Sequence, residues 1–126
     1  MAEKRCYFAH HVTDYDTERE QAAVEAITNH GYIVVNPNSP EDDVAYRERG
    51  MEYFVERVQG CDALAFQRFE SGEIGAGVAK EIGTAVASGL PIYEVVDDVV
   101  VSILKGPFLD VAATRCLIKK VRESGD

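Results

Sequence analysis

A single glutamate stands among small and apolar residues in the second half of the chain. Residues 75–89 read GAGVAKEIGTAVASG, a pattern typical of a short helix after a glycine-rich turn. The larger apolar residues of this helix form one stripe, made of Val78, Ile82, Ala85 and Val86. Glu81 lies about 60° around the helix from Val78, on the shoulder of that stripe. A carboxylate there could face a ligand, or it could be a first-turn glutamate favoured by the helix dipole.

The loop before this helix is rich in glycine. It contains Gly72, Gly75 and Gly77, together with Ser71. The loop runs into a helix N-terminus, where free N–H groups and the helix dipole favour an anion such as phosphate. No G-K-[ST] follows, so the loop is not a P-loop. Ser71, Gly75 and Gly77 are therefore candidate substrate-binding residues, although such turns also occur for packing alone.

Two further polar loops carry candidate ligand-binding residues. His10, His11 and Asp14 follow the first apolar run, and Asn36 and Asn38 follow the second. Adjacent histidines at a strand end point in opposite directions, so we expect no shared metal ion and one histidine facing a ligand crevice. The two asparagines could contact ligand hydroxyls, or they could form a plain Asn-Pro-Asn turn.

Strands and helices alternate along the chain. Short apolar runs predict strands near 5–9, 32–36, 62–66 and 91–96. Helical patterns cover 18–30, 40–60, 78–89 and 110–123. Thr17 and Glu20 form a capping box for the first helix, and Gly31 supplies its left-handed stop. Pro40 suits the first turn of the second helix, and Gly60 closes it.

This alternation predicts an α/β fold, with a doubly wound and mostly parallel sheet of about five strands, Rossmann-like or flavodoxin-like. Residues 1–126 should form one domain. The runs on either side of Asp97-Asp98 are too close for a crossover helix, so 99–103 is predicted as an antiparallel edge strand. Ligands bind such sheets beyond the carboxyl ends of the strands, where the three polar loops should meet.

Composition limits the classes of partner. A net charge of −9 over 126 residues argues against nucleic acid or an anionic membrane surface and favours a small ligand or a protein partner. The three cysteines have no zinc-type spacing, so we predict free thiols in the core, no metal site and no cofactor. No apolar run is long enough to span a membrane, and the first residues lack the apolar core of a signal peptide. We therefore expect a cytoplasmic protein.

Four segments together resemble a known superfamily: CYFAHH, VVNPN, RERGMEYFVERVQGCDALAF and GAGVAKEIGTAVASGLPIYEV. Over residues 5–96 the chain is similar to the nucleoside 2-deoxyribosyltransferase superfamily, including its nucleotide N-glycosidase branch. The most specific part is Cys61-Asp62 at the third strand, combined with a G-x-x-x-E-x-G helix at 77–83 and a following GLPI. In characterised members the glutamate of that helix acts at the sugar anomeric carbon, and Glu81 falls on its position.

The resemblance implies cleavage or transfer of the N-glycosidic bond of a nucleoside or nucleoside 5′-monophosphate by a homo-oligomeric enzyme, a dimer or higher. A carboxylate can trap or stabilise the oxocarbenium-like charge on the sugar, and the helix N-terminus should keep Glu81 ionised at neutral pH. The chain departs from the family pattern at Phe54, usually an aspartate, and at Gly75, usually a phosphate-binding serine. The alternative is a non-catalytic nucleotide-binding or sensing module.

Overall fold

The computed structural model describes residues 3–96, 99–101 and 111–124. The strands are β1 (Arg5–Ala9), β2 (Ile33–Val35), β3 (Ala63–Phe66), β4 (Ile92–Val96) and β5 (Val99–Val101). The helices are α1 (Glu18–Asn29), α2 (Pro40–Arg49), α3 (Met51–Gln59), α4 (Ala76–Ala87) and α5 (Val111–Ser124), with a 3₁₀ turn at Val12–Asp14. Parts of three sequence predictions lie outside the described residues: the Asp97-Asp98 link, residues 102–103 of the edge strand, and residue 110 at the start of the last predicted helix.

The strands form one sheet in the order β2-β1-β3-β4-β5. The first four run parallel, and Tyr7 of β1 lies between Val35 of β2 and Leu64 of β3 in the register. β5 pairs antiparallel with β4 over three residues. The predicted α/β class with parallel strands is confirmed. Because the strand order reverses between β1 and β3, a crevice is expected beyond the carboxyl ends of these two strands.

Helices cover both faces of the sheet, because alternate residues of the buried strands point to opposite sides. Tyr7 and Ala9 pack on the side of α3 and α4, in a cluster that includes Leu64, Phe66 and Ile82. The second cluster, on the side of α1, contains Cys6, Phe8, Ala23, Ile27 and Ala65. None of the described helices has both the length and the apolar character needed to cross a membrane.

Local signals set the starts of the helices. The Thr17 side chain accepts the Glu20 N–H at 3.2 Å, as the capping box predicts, but the Glu20 carboxylate accepts the N–H of Asp16 and not that of Thr17. Gly31 has φ of 103°, as the predicted stop requires. Ser39 caps α2 ahead of Pro40. The single helix predicted over 40–60 is wrong. The chain breaks at Gly50, whose φ of 70° is open to glycine and disfavoured for other residues, so α2 and α3 meet there at a corner.

The cysteines divide into two classes. Cys6 and Cys61 are buried, whereas Cys116 is exposed, so the prediction of a core position is wrong for Cys116. Burial raises the pKa of the Cys6 thiol to about 12 and also raises that of Cys61. Thiolates are the reactive form, so we expect a thiol reagent to label one cysteine quickly in the native protein and all three in denaturant without reductant. Fast labelling of two or more native thiols would contradict this burial.

Candidate functional site

A cavity of about 870 Å³ lies beyond the carboxyl ends of β1 and β3. Its walls come from six parts of the chain: the loop after β1, the loop after β2, α2, α3, the start of α4, and α5. Tyr7, which is 0% exposed, and Glu81, which is 6% exposed, form the buried end of the cavity, its floor. This size and position are typical of a site for a small organic molecule.

Glu81 occupies a core position of α4 rather than its shoulder. The buried residues of this helix are Val78, Glu81, Ile82 and Ala85, at the spacing i, i+3, i+4 and i+7. Val86, predicted to be buried, is 56% exposed. The helix is therefore rotated toward Glu81 relative to the prediction. A surface glutamate favoured by the helix dipole is excluded, because this carboxyl lies beyond the first turn and inside the cavity wall.

The protonation state of Glu81 also differs from the prediction. Burial raises the pKa of its carboxyl to about 8, and the hydrogen bond donated by the Tyr7 hydroxyl offsets this only in part. The helix N-terminus does not keep the group ionised at neutral pH, because the cost of desolvating the charge is larger. At neutral pH the protonated, uncharged carboxyl is therefore the main form.

Tyr7 is a site residue that the sequence interpretation missed, because it reads as one more apolar residue of β1. Its hydroxyl donates to Oε2 of Glu81 across 74 positions of sequence. Burial and the nearby Glu81 raise the pKa of the phenol above its usual range, so the hydroxyl keeps its proton. The sequence could have pointed to Tyr7, because a tyrosine in a fully buried strand needs a hydrogen-bond partner for its hydroxyl.

The predicted anion site at the start of α4 is partly filled by the protein itself. Nε2 of His11 accepts the Gly75 N–H at 2.9 Å, and Oγ1 of Thr114 accepts the Ala76 N–H at 2.9 Å. Burial lowers the pKa of His11 to about 3, so its ring is neutral. With Nε2 accepting, Nδ1 carries the proton, and it has no hydrogen-bond partner among the described residues. Two of the four free N–H groups of this helix are therefore unavailable to a phosphate.

Gly75 is required by this contact. A Cβ at position 75 would lie 2.9 Å from Nε2 of His11 and 2.9 Å from Cγ2 of Thr114. The serine that the family pattern places there would collide with both side chains. The His11 side chain thus occupies the space that a larger residue at position 75 would need.

We expect Gly75→Ser to lower the free energy of unfolding by about 1–3 kcal/mol, the usual cost of overpacking. His11→Ala should relieve part of this cost, giving a coupling of about 1 kcal/mol between the two positions in a double-mutant cycle. Gly83→Ser is the matched control, because a Cβ at Gly83 meets nothing within 4 Å. Denaturant unfolding of wild type, the two single variants, their double variant and Gly83→Ser measures the effect, and equal costs at positions 75 and 83 would contradict it.

His10 and Asn38 line the cavity but are held mainly by Glu20. Nε2 of His10 lies 2.7 Å from Glu20, and Nδ1 lies 3.1 Å from the carbonyl oxygen of Phe8. Burial lowers the pKa of His10, although both oxygen neighbours oppose this. The Asn38 amide donates to both oxygens of Glu20 at 3.0 and 3.1 Å, so its carbonyl side is the part free to meet a ligand.

The structure brings together five of the predicted site residues and leaves four outside the cavity lining. His10, His11, Asn38, Gly77 and Glu81 line the cavity. Asp14, Asn36, Ser71 and Gly75 do not.

The four residues outside the lining have structural partners. Asp14 pairs with Arg19 at 2.6 Å, and Oδ1 of Asn36 accepts the Asn38 N–H at 2.9 Å, which makes it a turn residue. Ser71 donates to Glu73, while Gly75 is packed against His11. Their prediction as substrate-binding residues is not supported by where they lie.

Several lining residues were not predicted, because they belong to elements distant in sequence. Phe54 lies in the wall at the position where the family usually has an aspartate, so that wall is apolar. Besides Glu81, the carboxylates among the described lining residues are Asp16 and Asp43. Among the described lining residues, Arg115 from α5 is the one arginine or lysine. No spacing rule links these residues, so pattern reasoning could not have found them.

No family model and no curated protein matches this sequence. The resemblance to the nucleoside 2-deoxyribosyltransferase superfamily therefore remains a prediction, and the geometry of the cavity is the main support for a function.

Proposed function

We propose that this chain cleaves or transfers the N-glycosidic bond of a nucleoside or nucleoside 5′-monophosphate. The observation that carries the proposal is the buried Glu81 carboxyl at the cavity floor, hydrogen-bonded to Tyr7. Buried carboxyls with raised pKa values in cavities are typical of functional sites rather than of stabilising ones. The cavity volume of about 870 Å³ is within the range of pockets that enclose such ligands.

In the proposed reaction Glu81 acts at the anomeric carbon. The bond between this carbon and the base nitrogen breaks, and the base leaves with the bonding electron pair and takes up a proton. The ionised carboxylate either bonds to the anomeric carbon or stabilises its positive charge until water or a second base attacks. The Tyr7 hydroxyl supports the reactive state, because its hydrogen bond favours the ionised carboxyl and lowers its pKa.

Base release tests the proposal. Chromatography of reactions with nucleosides and 5′-monophosphates of each common base should detect free base with at least one of them. Because Glu81 must be ionised, we expect kcat/KM to rise with pH and to level off above about 8, since this parameter reports the free enzyme. A fall over the same range would instead make the protonated carboxyl a general acid.

The rival function is a non-catalytic nucleotide-binding or sensing module. It is favoured by the apolar Phe54 in the cavity wall and by the largely protonated Glu81. Thermal stabilisation by a nucleotide, with no base released from any member of the panel, would select this function. The resemblance also leads us to propose a homo-oligomer, which light scattering in solution tests.

A further inference from the structure

One face of α5 carries a row of cations beside the cavity. Arg115, Lys119 and Arg122 are exposed and stand at i, i+4 and i+7, so they share one side of the helix. They line a groove of about 610 Å³ together with Val12, Ile118 and Glu123. Within the described part of the chain, none of the three cations forms an ion pair with a carboxylate.

This groove continues from the cavity. Val12, Arg115 and Ile118 line both spaces. Arg115 follows Thr114, whose hydroxyl contacts Ala76, the first residue of α4. Glu81 lies five residues after Ala76 on that helix, which is about 7.5 Å along its axis. Lys119 and Arg122 then extend the row by about 6 Å and about 10.5 Å along α5. A ligand that reaches from Glu81 past Arg115 would enter the groove.

The distribution of charge favours an anionic extension of the ligand on this side. The chain has a net charge of −9, yet three cations with no carboxylate partner among the described residues stand together on one face of α5. Asp16 and Asp43 line the cavity elsewhere and would repel a phosphate. Among the described residues that line the groove, Glu123 is the one carboxylate, and it lies at the far end of the row. Arg binds phosphate groups through its planar, bidentate guanidinium, and Lys binds them as a point charge on a flexible stem.

We propose that the groove binds a phosphate chain, so that the preferred ligands are nucleoside di- and triphosphates rather than nucleosides or monophosphates. The first phosphate would meet Arg115 at the junction of cavity and groove. The following ones would meet Lys119 and Arg122. This inference rests on the proposed function for the nucleoside end of the ligand, which lies in the cavity with Glu81.

Calorimetry with a ligand series tests the groove. For each common base, the nucleoside and its 5′-mono-, di- and triphosphate are titrated into the full chain at low and at physiological salt. We expect the triphosphate of the preferred base to bind about tenfold or more tightly than the monophosphate. This gap in affinity between the two ligands should shrink as the salt concentration rises. The Lys119→Gln/Arg122→Gln double variant should reduce the gap to about threefold or less and leave nucleoside affinity unchanged.

The matched control is Lys4→Gln/Lys80→Gln, which removes the same charge at two exposed residues outside both spaces. It should keep the gap between triphosphate and monophosphate. Equal affinities along the series, or a gap that survives in the groove variant, would overturn the inference.

Base release from the same samples separates this inference from the proposed function. If free base appears but triphosphates bind no more tightly, only the groove inference fails. If the groove variant abolishes the gap but no base is released, only the proposed reaction fails. If no member of the series binds, both fail.

Discussion

Glu81→Gln should slow base release on the order of a thousandfold or more while leaving ligand binding largely intact. Glutamine has nearly the shape of the protonated carboxyl, and its side-chain oxygen can still accept the Tyr7 hydroxyl. It has no charge to offer the anomeric carbon and no oxygen able to attack it. The loss should therefore appear in kcat more than in KM.

The measurement is base release from the best substrate of the panel at pH 8, with a melting curve for each protein. Glu25→Gln is the matched control, because Glu25 is exposed on α1 and lies outside the cavity. If Glu81→Gln retains activity close to that of wild type, Glu81 has no role at the anomeric carbon. A variant that unfolds cannot be mistaken for an inactive one, because its melting transition would be lost.

The second large effect is a stability that depends on pH through Glu81. The pKa of this group is about 8 in the folded chain, against the ordinary value of 4.5 that it takes when the chain is unfolded. Between these values the folded state holds a proton that the unfolded state has released, so the free energy of unfolding falls as pH rises. Over this window the loss from Glu81 amounts to about 4 kcal/mol.

Glu81→Gln has no proton to hold, so it should not suffer this loss. We expect the difference in free energy of unfolding between variant and wild type to shift by about 4 kcal/mol in favour of the variant from pH 4.5 to pH 8. Denaturant unfolding at several pH values measures it. A difference that stays constant over this range would contradict the raised pKa of Glu81.

Other groups titrate in the same experiment but cancel in the difference. His11, with a pKa of about 3, binds a proton in the unfolded state below about 6.5, so its contribution to stability is lost as pH falls from there to about 3. This slope has the opposite sign to that of Glu81. Because wild type and variant share His11, the comparison between them isolates Glu81.

The sequence by itself determined the order and type of most elements. The apolar runs of β1 and β3, the cap at Thr17, the stop at Gly31 and the start at Pro40 are local features. Each of these features depends on residues only a few positions apart in the chain, so the sequence pattern is enough to predict it. The G-x-x-x-E-x-G pattern at 77–83 likewise drew attention to Glu81 on a short helix, and Glu81 lines the cavity.

Only the tertiary structure determined the positions, contacts and charges of the site residues. Gly50 breaks a helix that its flanking pattern favours, and α4 is rotated so that Glu81 replaces Val86 in the buried face. His11 reaches across 64 positions to cap Gly75, and Tyr7 reaches across 74 to meet Glu81. The charge on Glu81 depends on these distant contacts, because desolvation is set by everything packed around a carboxyl and not by the residues beside it in the chain.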